Sequence, residues 1–457
     1  MKQVFQNGLT RRDAIGGALA AGMVFGSDGL FAAESAGDPG RVCVRPWSRD
    51  PSVKVPLLGF GLAERFPQRK GGGIGTVDEV LGAELVDYAI AHGVNWFDTG
   101  YTYHRGASER FLGKALAKHP RDSFILSDKM PTWAVKKEGD AQRIFQEQLD
   151  RCKVEYFDFY LLHSVSNKGT FEYVYKKLGV LDYLREQKKQ GRIRHLGLSF
   201  HGKSDFLAEV LDANPDLEVC MVMQNAMEFR FNPDSTKLAE TAAKRGVSVL
   251  VMEPLAGGRV ASLRGKPLEM VKRMHPEDSP ARWAFRFAAG LPGVVCLFSG
   301  MHKLEYLKEN IRTLSEGWQP LTAAEQKVYG EAIDLHMKNK SIPCTGCSYC
   351  ECPYGLPIPK VFAWYNQWAQ EGRIPTDTKE GAKEPDANDS QDLRRRFLAS
   401  YYNTFKLKER ADRCLGCRKC LEACTQWTFR IPNEMRKVAD VVAHTEEVYV
   451  KKGGVIR

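Results

Sequence analysis

Residues 141–163 read AQRIFQEQLDRCKVEYFDFYLLH, and this stretch carries the unit from which most of the chain is built. Ala141–Cys152 has the spacing of an amphipathic helix. Phe157–Leu162 is a short run of aromatic and branched apolar residues, which fits a buried strand. Working outward, the same alternation recurs on both sides. Apolar runs occur at Leu57–Gly61, Val94–Phe97, Phe124–Leu126, His195–Leu198, Val219–Met223, Val247–Met252 and Val294–Phe298. Helical patterns separate them, among them Glu79–His92, Ser108–Lys118, Asp205–Ala213 and Pro280–Ala289. Strands divided by helices of this length pair in parallel through right-handed crossovers. Eight such units predict an α/β fold, a (β/α)8 TIM barrel over residues 45–335. No G-x-G-x-x-G follows an early strand, which removes the simplest open-sheet dinucleotide reading.

The mouth of such a barrel collects polar residues from the strand C-termini. Here they are Asp98, Lys129, His163, Ser199, Gln224 and Glu253, with Tyr103 in the loop after Asp98. Each has an ordinary alternative: a helix cap for Asp98 or Ser199, a satisfied core histidine for His163, a solvated rim for Lys129. Together their chemistry is coherent. A tyrosine releases its proton near pH 10 unless a neighbouring charge lowers that value. A lysine beside it does so, an aspartate holds the lysine, and a neutral histidine orients a carbonyl.

Phe97-Asp98-Thr99-Gly100-Tyr101-Thr102-Tyr103, Ser108-Glu109 and Leu112-Gly113-Lys114-Ala115-Leu116 resemble the signature of the aldo/keto reductase family. Lys129, Leu161-Leu162-His163, Gly197-Leu198-Ser199, Ser279-Pro280-Ala281 through Trp283, Pro292-Gly293-Val294 and Glu309-Asn310 continue the likeness. The resemblance spans about residues 50–315. It implies a catalytic tetrad of Asp98, Tyr103, Lys129 and His163, with Tyr103 as general acid/base. It also implies a nicotinamide cofactor, NADP or NAD, held by Ser199, Gln224, Glu253, Leu255, Gly257, Gly300, Glu309 and Asn310. Phe200 stands where the family usually has an asparagine, and Met252 where a tyrosine commonly stacks on nicotinamide. Gly300 and Tyr306 replace cations that often clamp a 2′-phosphate, which leaves NAD and NADP both open.

Eight of the twelve cysteines crowd between 344 and 424, in two runs: Cys344, Cys347, Cys350 and Cys352, then Cys414, Cys417, Cys420 and Cys424. The second run has the spacing of bacterial ferredoxins, in which the fourth cysteine ligates the other cluster. The expected arrangement is two 4Fe-4S clusters, one on Cys344, Cys347, Cys350 and Cys424, the other on Cys414, Cys417, Cys420 and Cys352. Zinc is the alternative. The first run is short before Cys352, and Thr425 stands where proline often follows. Ile358–Gln370 and Asp392–Lys408 read as helices around a polar loop, Thr376–Ser390. Residues 340–457 thus resemble a mostly α-helical dicluster ferredoxin domain, and the whole chain resembles the iron–sulfur subgroup of the aldo/keto reductases. The remaining cysteines, Cys43, Cys152, Cys220 and Cys296, read as small core residues.

Residues 1–36 carry Thr10-Arg11-Arg12, a weakly apolar Ala/Gly-rich stretch and a small-residue tract, the order of a signal peptide of twin-arginine type. A disordered extension is the other reading. Export in the folded state, to the periplasm or otherwise, suits a chain whose clusters must be inserted first. Sixty-six Lys and Arg against fifty-six Asp and Glu give +10, without the basic block of a nucleic-acid binder. No apolar run is long enough to span a membrane when mature. The expected function is an oxidoreductase acting on a small-molecule carbonyl or alcohol, coupled to iron–sulfur electron transfer with a redox partner protein. The alternative is an electron-transfer or partner-docking protein whose barrel is not catalytic.

Overall fold

The computed structural model describes residues 38–63, 67, 75–338, 342–346, 348, 350–378, 384, 386–421, 424 and 430–455. The expected signal segment, residues 1–36, lies outside the described residues, as does Cys347.

A short antiparallel pair opens the chain, β1 (Val44–Pro46) and β2 (Lys54–Pro56). Eight strands follow: β3 (Leu58–Gly61), β4 (Trp96–Asp98), β5 (Ile125–Pro131), β6 (Phe157–Val165), β7 (Ile193–Phe200), β8 (Val219–Met223), β9 (Ser248–Met252) and β10 (Val294–Ser299). They pair in parallel, in chain order, and close with β10 against β3. Strands buried on both faces are apolar nearly throughout, and β6 shows this from Phe157 to Leu162. The interior is packed by Trp96, Phe159, Leu161, Val219, Met221, Leu250 and Phe298, joined by Trp47, which directly follows β1, and Val55 of β2. That hairpin was not anticipated, because strands of three residues leave no periodic signal.

The crossover helices are set by local chemistry. Asp78 caps the helix Glu79–Ala91 by accepting from the Leu81 N–H at 3.1 Å. Ser279 caps Pro280–Ala289, where proline fills the first helical position. The expected helix ending at Cys152 spans Asp140–Cys152 and stops at Lys153, whose φ of 54° breaks the helical path.

Three strands run further than the apolar pattern suggested. β5 continues through Lys129 to Pro131, and β6 continues through His163, because Met130 pairs with Leu162 and Pro131 with His163. Lys129, His163 and Ser199 therefore sit inside strands rather than just beyond them. Gln224 and Glu253 do follow directly on β8 and β9.

Beyond the barrel, helix Ala323–Lys338 packs Tyr329 and Ile333 against Trp283. Helices Ile358–Gln370, Gln391–Thr404 and Ile431–Lys451 share a separate core. Its centre is Trp364, with ring centroids 4.9 Å from Phe397 and 5.0 Å from Tyr401. Buried Arg394 ties down the preceding loop, donating to the Thr376 carbonyl at 2.8 Å and pairing with Asp377 and Asp389 at 2.7 Å.

Candidate active site

The strand ends of the barrel and the loops after them surround a cavity of about 1180 Å³. Asp98, Tyr103, Lys129 and His163 all line it. Lys129 Nζ donates to Asp98 Oδ2 and to the Thr99 carbonyl, each at 2.6 Å. An ammonium has three protons to donate, so one remains. The same Nζ lies 4.7 Å from the centre of the Tyr103 ring, and the His163 ring meets Tyr103 edge-on at 5.8 Å. Asp98 Oδ1 accepts from the Ser127 hydroxyl at 2.7 Å. Burial raises the Asp98 carboxyl above its ordinary range, and Lys129 and Ser127 draw it back.

Burial, then the charge of Lys129, holds the His163 imidazole well below its ordinary value. His163 is therefore neutral at pH 7 and can serve as a hydrogen-bonding group beside a carbonyl. Its Nδ1 is buried without a partner among the described residues. Trp133 leans over it at 4.8 Å, and burial lowers nearby His201 to about 4.

A second layer fixes Lys129 from behind. Asp128 precedes it on β5 and so faces the opposite side of the sheet, toward the helices. Gln148 Nε2 donates to Asp128 Oδ1 at 2.6 Å, to the Lys129 carbonyl at 3.1 Å and to Glu109 Oε1 at 3.1 Å. Arg151 pairs with Glu109 at 2.7 Å, and the Tyr160 hydroxyl donates to Gln148 Oε1. Burial first, and then Glu109, push the Asp128 carboxyl well above its usual range. Sequence reading missed Asp128 and Gln148. The available signal was an acidic residue in a strand otherwise buried on both faces.

The residues expected to hold a cofactor divide into two sets. Ser199, Glu253, Leu255, Gly257, Gly300 and Asn310 line the cavity. Ser199 Oγ accepts from the Ser164 N–H at 2.8 Å. Gln224 and Glu309 are not on the cavity wall. Gln224 is fully buried behind it, with Nε2 donating to the Ser235 carbonyl at 2.8 Å and Oε1 unpartnered among the described residues. Phe200 turns away into the core, 5.8 Å from Phe206, whereas Met252 does line the cavity.

Residues 58–325 match the aldo/keto reductase family. The chain belongs to that family. As an aldo/keto reductase it is an enzyme, and its barrel has many relatives. It is 24% identical over 286 residues to the uncharacterized oxidoreductase YqkF of Bacillus subtilis, a match covering 56% of this chain and 87% of the relative. It is 28% identical over 205 residues to the NADH-specific methylglyoxal reductase of Escherichia coli, covering 40% of this chain and 59% of the relative. Among solved structures, the thermostable aldo-keto reductase Tm1743, in complex with the inhibitor epalrestat, superposes with a TM-score of 0.52 at 22% identity, over 64% of this chain and 99% of that one.

The aldo/keto reductase cavity is not walled by the barrel alone. Glu351 and Cys424, from the cysteine-rich segment, line it too. Glu351 pairs with Arg105, which directly follows Tyr103 and His104. At Gly257, with φ of 65°, a Cβ would stand 2.1 Å from the Thr345 side chain, so only glycine admits this approach. Around the cysteines, Cys352, Cys414 and Cys417 are all close enough to Cys420 to act on its thiol. Burial and these neighbours push that thiol up to about 11. Cys344, Cys350 and Cys424 pack on the same apolar core as Cys352, Cys414 and Cys420. Among the described residues no three His, Cys, Asp or Glu side chains converge on a single-ion site. Cys152, Cys220 and Cys296 are buried as expected, and Cys43 is half-buried.

Proposed function

We propose that the barrel interconverts a carbonyl and an alcohol with a nicotinamide cofactor, and that Tyr103 carries the proton. The observation that bears most weight is the Asp98–Lys129 pair set 4.7 Å from the Tyr103 ring inside the cavity. The chemistry a nicotinamide would supply there is hydride transfer. The Ser199 hydroxyl, on the cavity wall, fits a carboxamide oxygen, whereas Gln224, buried behind that wall, does not reach it here. Leu255, Gly257, Gly300 and Asn310 would line its remaining length. The positive charge of Lys129 favours the tyrosinate and so eases proton release from the phenol. Asp98 keeps that charge in place, and neutral His163 orients the substrate oxygen toward Tyr103. Trp133 and the half-buried His201 form part of the wall against which a small substrate would lie.

The cysteine segment is read as the seat of two 4Fe-4S clusters. The packing of Cys344, Cys350, Cys352, Cys414, Cys420 and Cys424 on one apolar core supports two runs close enough to share ligands, and the spacing of the second run favours the crossed pattern, in which each run lends its fourth thiolate to the other cluster. Cys344, Cys350 and Cys424, with Cys347, would hold the second. The Thr10-Arg11-Arg12 segment is read as an export signal for the folded, loaded protein.

Anaerobic purification followed by denaturation tests the whole reading. One nicotinamide dinucleotide per chain, with about eight iron and matching acid-labile sulfide, is the expected yield. Tyr103→Phe should lower kcat by about 10²–10⁴-fold while nucleotide retention is unchanged. A chain that neither retains nor binds nucleotide, and that is indifferent to Tyr103→Phe, would overturn the catalytic reading.

A further inference from the structure

The residues leading into and through the second cysteine run have an unusual surface. Residues 406–430 contain seven Lys and Arg against three Asp and Glu. Leu407 is 59% exposed and Leu415 is 69% exposed, whereas the other leucines among the described residues are almost all buried or half-buried. Cys417 is itself exposed, and so are Lys406, Lys408, Arg413, Arg418 and Lys419 around it. Two of the three acids are occupied locally. Glu409 accepts from the Lys406 N–H at 3.1 Å, and Asp412 pairs with Arg413 at 3.2 Å. Lys408, Arg418 and Lys419 form no ion pair among the described residues. Two exposed apolar side chains ringed by uncommitted cations have the composition of a docking patch rather than of a solvated loop.

Position gives the patch a direction. Cys424 reaches the barrel cavity, whereas Cys417, in the other proposed quartet, faces solvent. The segment thus spans from the catalytic mouth to the outer surface.

We propose that this patch docks an acidic one-electron carrier protein, which exchanges electrons with the cluster on Cys352, Cys414, Cys417 and Cys420. This rests on the cluster reading above. One electron would pass from the reduced carrier to the oxidised cluster; no bond forms or breaks and no proton need move. Charge complementarity selects the partner, because like-charged carriers are repelled and acidic ones are steered in.

The test uses the purified holoprotein and an acidic 2Fe-2S ferredoxin, chemically reduced, in an anaerobic stopped-flow experiment. The second-order rate constant for cluster reduction should fall about tenfold or more as ionic strength rises from ~20 to ~300 mM. Lys408→Glu/Lys419→Glu should lower it about tenfold at low salt. Leu415→Ser should lower it as well. Reduction by methyl viologen radical, iron content and the cluster's electron paramagnetic resonance spectrum should stay unchanged in each variant. Loaded clusters with a salt-independent rate, unaltered in the variants, would overturn the docking proposal alone. A protein without iron or sulfide would overturn the cluster reading and the proposal with it. Variants that lose binding to anionic phospholipid vesicles but keep the carrier rate would overturn it in favour of a membrane surface.

Discussion

Lys129 is the side chain on which the candidate site turns, and its partners define what its loss would do. Buried Asp98 receives its ammonium at 2.6 Å. Lys129→Met removes the charge that lies beside the Tyr103 ring and leaves that carboxylate buried without its counter-ion. Breaking a buried pair from one side costs about 3–5 kcal/mol. Urea denaturation should show a loss of that order, and Asp98→Asn, which leaves a neutral acceptor for Lys129, should lose less. At this scale the sequence was informative where residues point into the barrel. Asp98, Tyr103, Lys129, His163 and Ser199 were all legible, because strand-end polar residues in an apolar pattern stand out. Gln224, read from its strand-end position as well as by family likeness, and Glu309, placed by likeness alone, lie off the cavity wall. Asp128 gave only the signal of an acid in a buried strand and Gln148 gave none, because their importance comes from a contact between β5 and the helix Asp140–Cys152 that no local spacing encodes.

Among the elements, the helix Ala107–Ala115 shows how packing reverses a propensity. Replacing an interior helical glycine with alanine ordinarily stabilises by about 1 kcal/mol. At Gly113 the added Cβ would lie 2.2 Å from the Arg151 carbonyl oxygen and 2.9 Å from the Cys152 carbonyl carbon, both backbone atoms. Gly113→Ala should therefore destabilise by about 1–3 kcal/mol, as overpacking does, with the melting temperature as the readout. The eight strands were readable from their apolar runs, and Val219–Met223 falls where the pattern put it. Strand ends were less readable. β5, β6 and β7 extend through polar residues because their neighbours continue to pair with them, and pairing is a property of the neighbour.

For the molecule as a whole, acid should act through buried neutral histidines. Burial lowers His104, His201 and His336 to about 4. In the unfolded chain a histidine titrates near 6.5, so between about pH 6.5 and 4 the unfolded state binds more protons. Stability is therefore lost on acidification through that window, by up to about 1.4 kcal/mol per pH unit for each ring. Asp128 acts in the opposite sense. Its raised pKa makes the folded state the better proton binder, and that contribution fades as pH rises. The informative measurement is a comparison: His336→Gln should flatten the decline between pH 7 and 5 relative to the parent chain, and identical slopes would refute the assignment.

One wall of the cavity is borrowed. Glu351 and Cys424 face the same space as Tyr103, and Thr345 is pressed against Gly257 in the loop expected to cradle the dinucleotide. Under the proposed cofactor reading, a nucleotide lying along that loop would have one flank against the cysteine segment, in the cavity that Arg105 and its partner Glu351 also line. Enclosed on that side as well, it would behave less as a co-substrate that diffuses in and out with each turnover than as a resident prosthetic group.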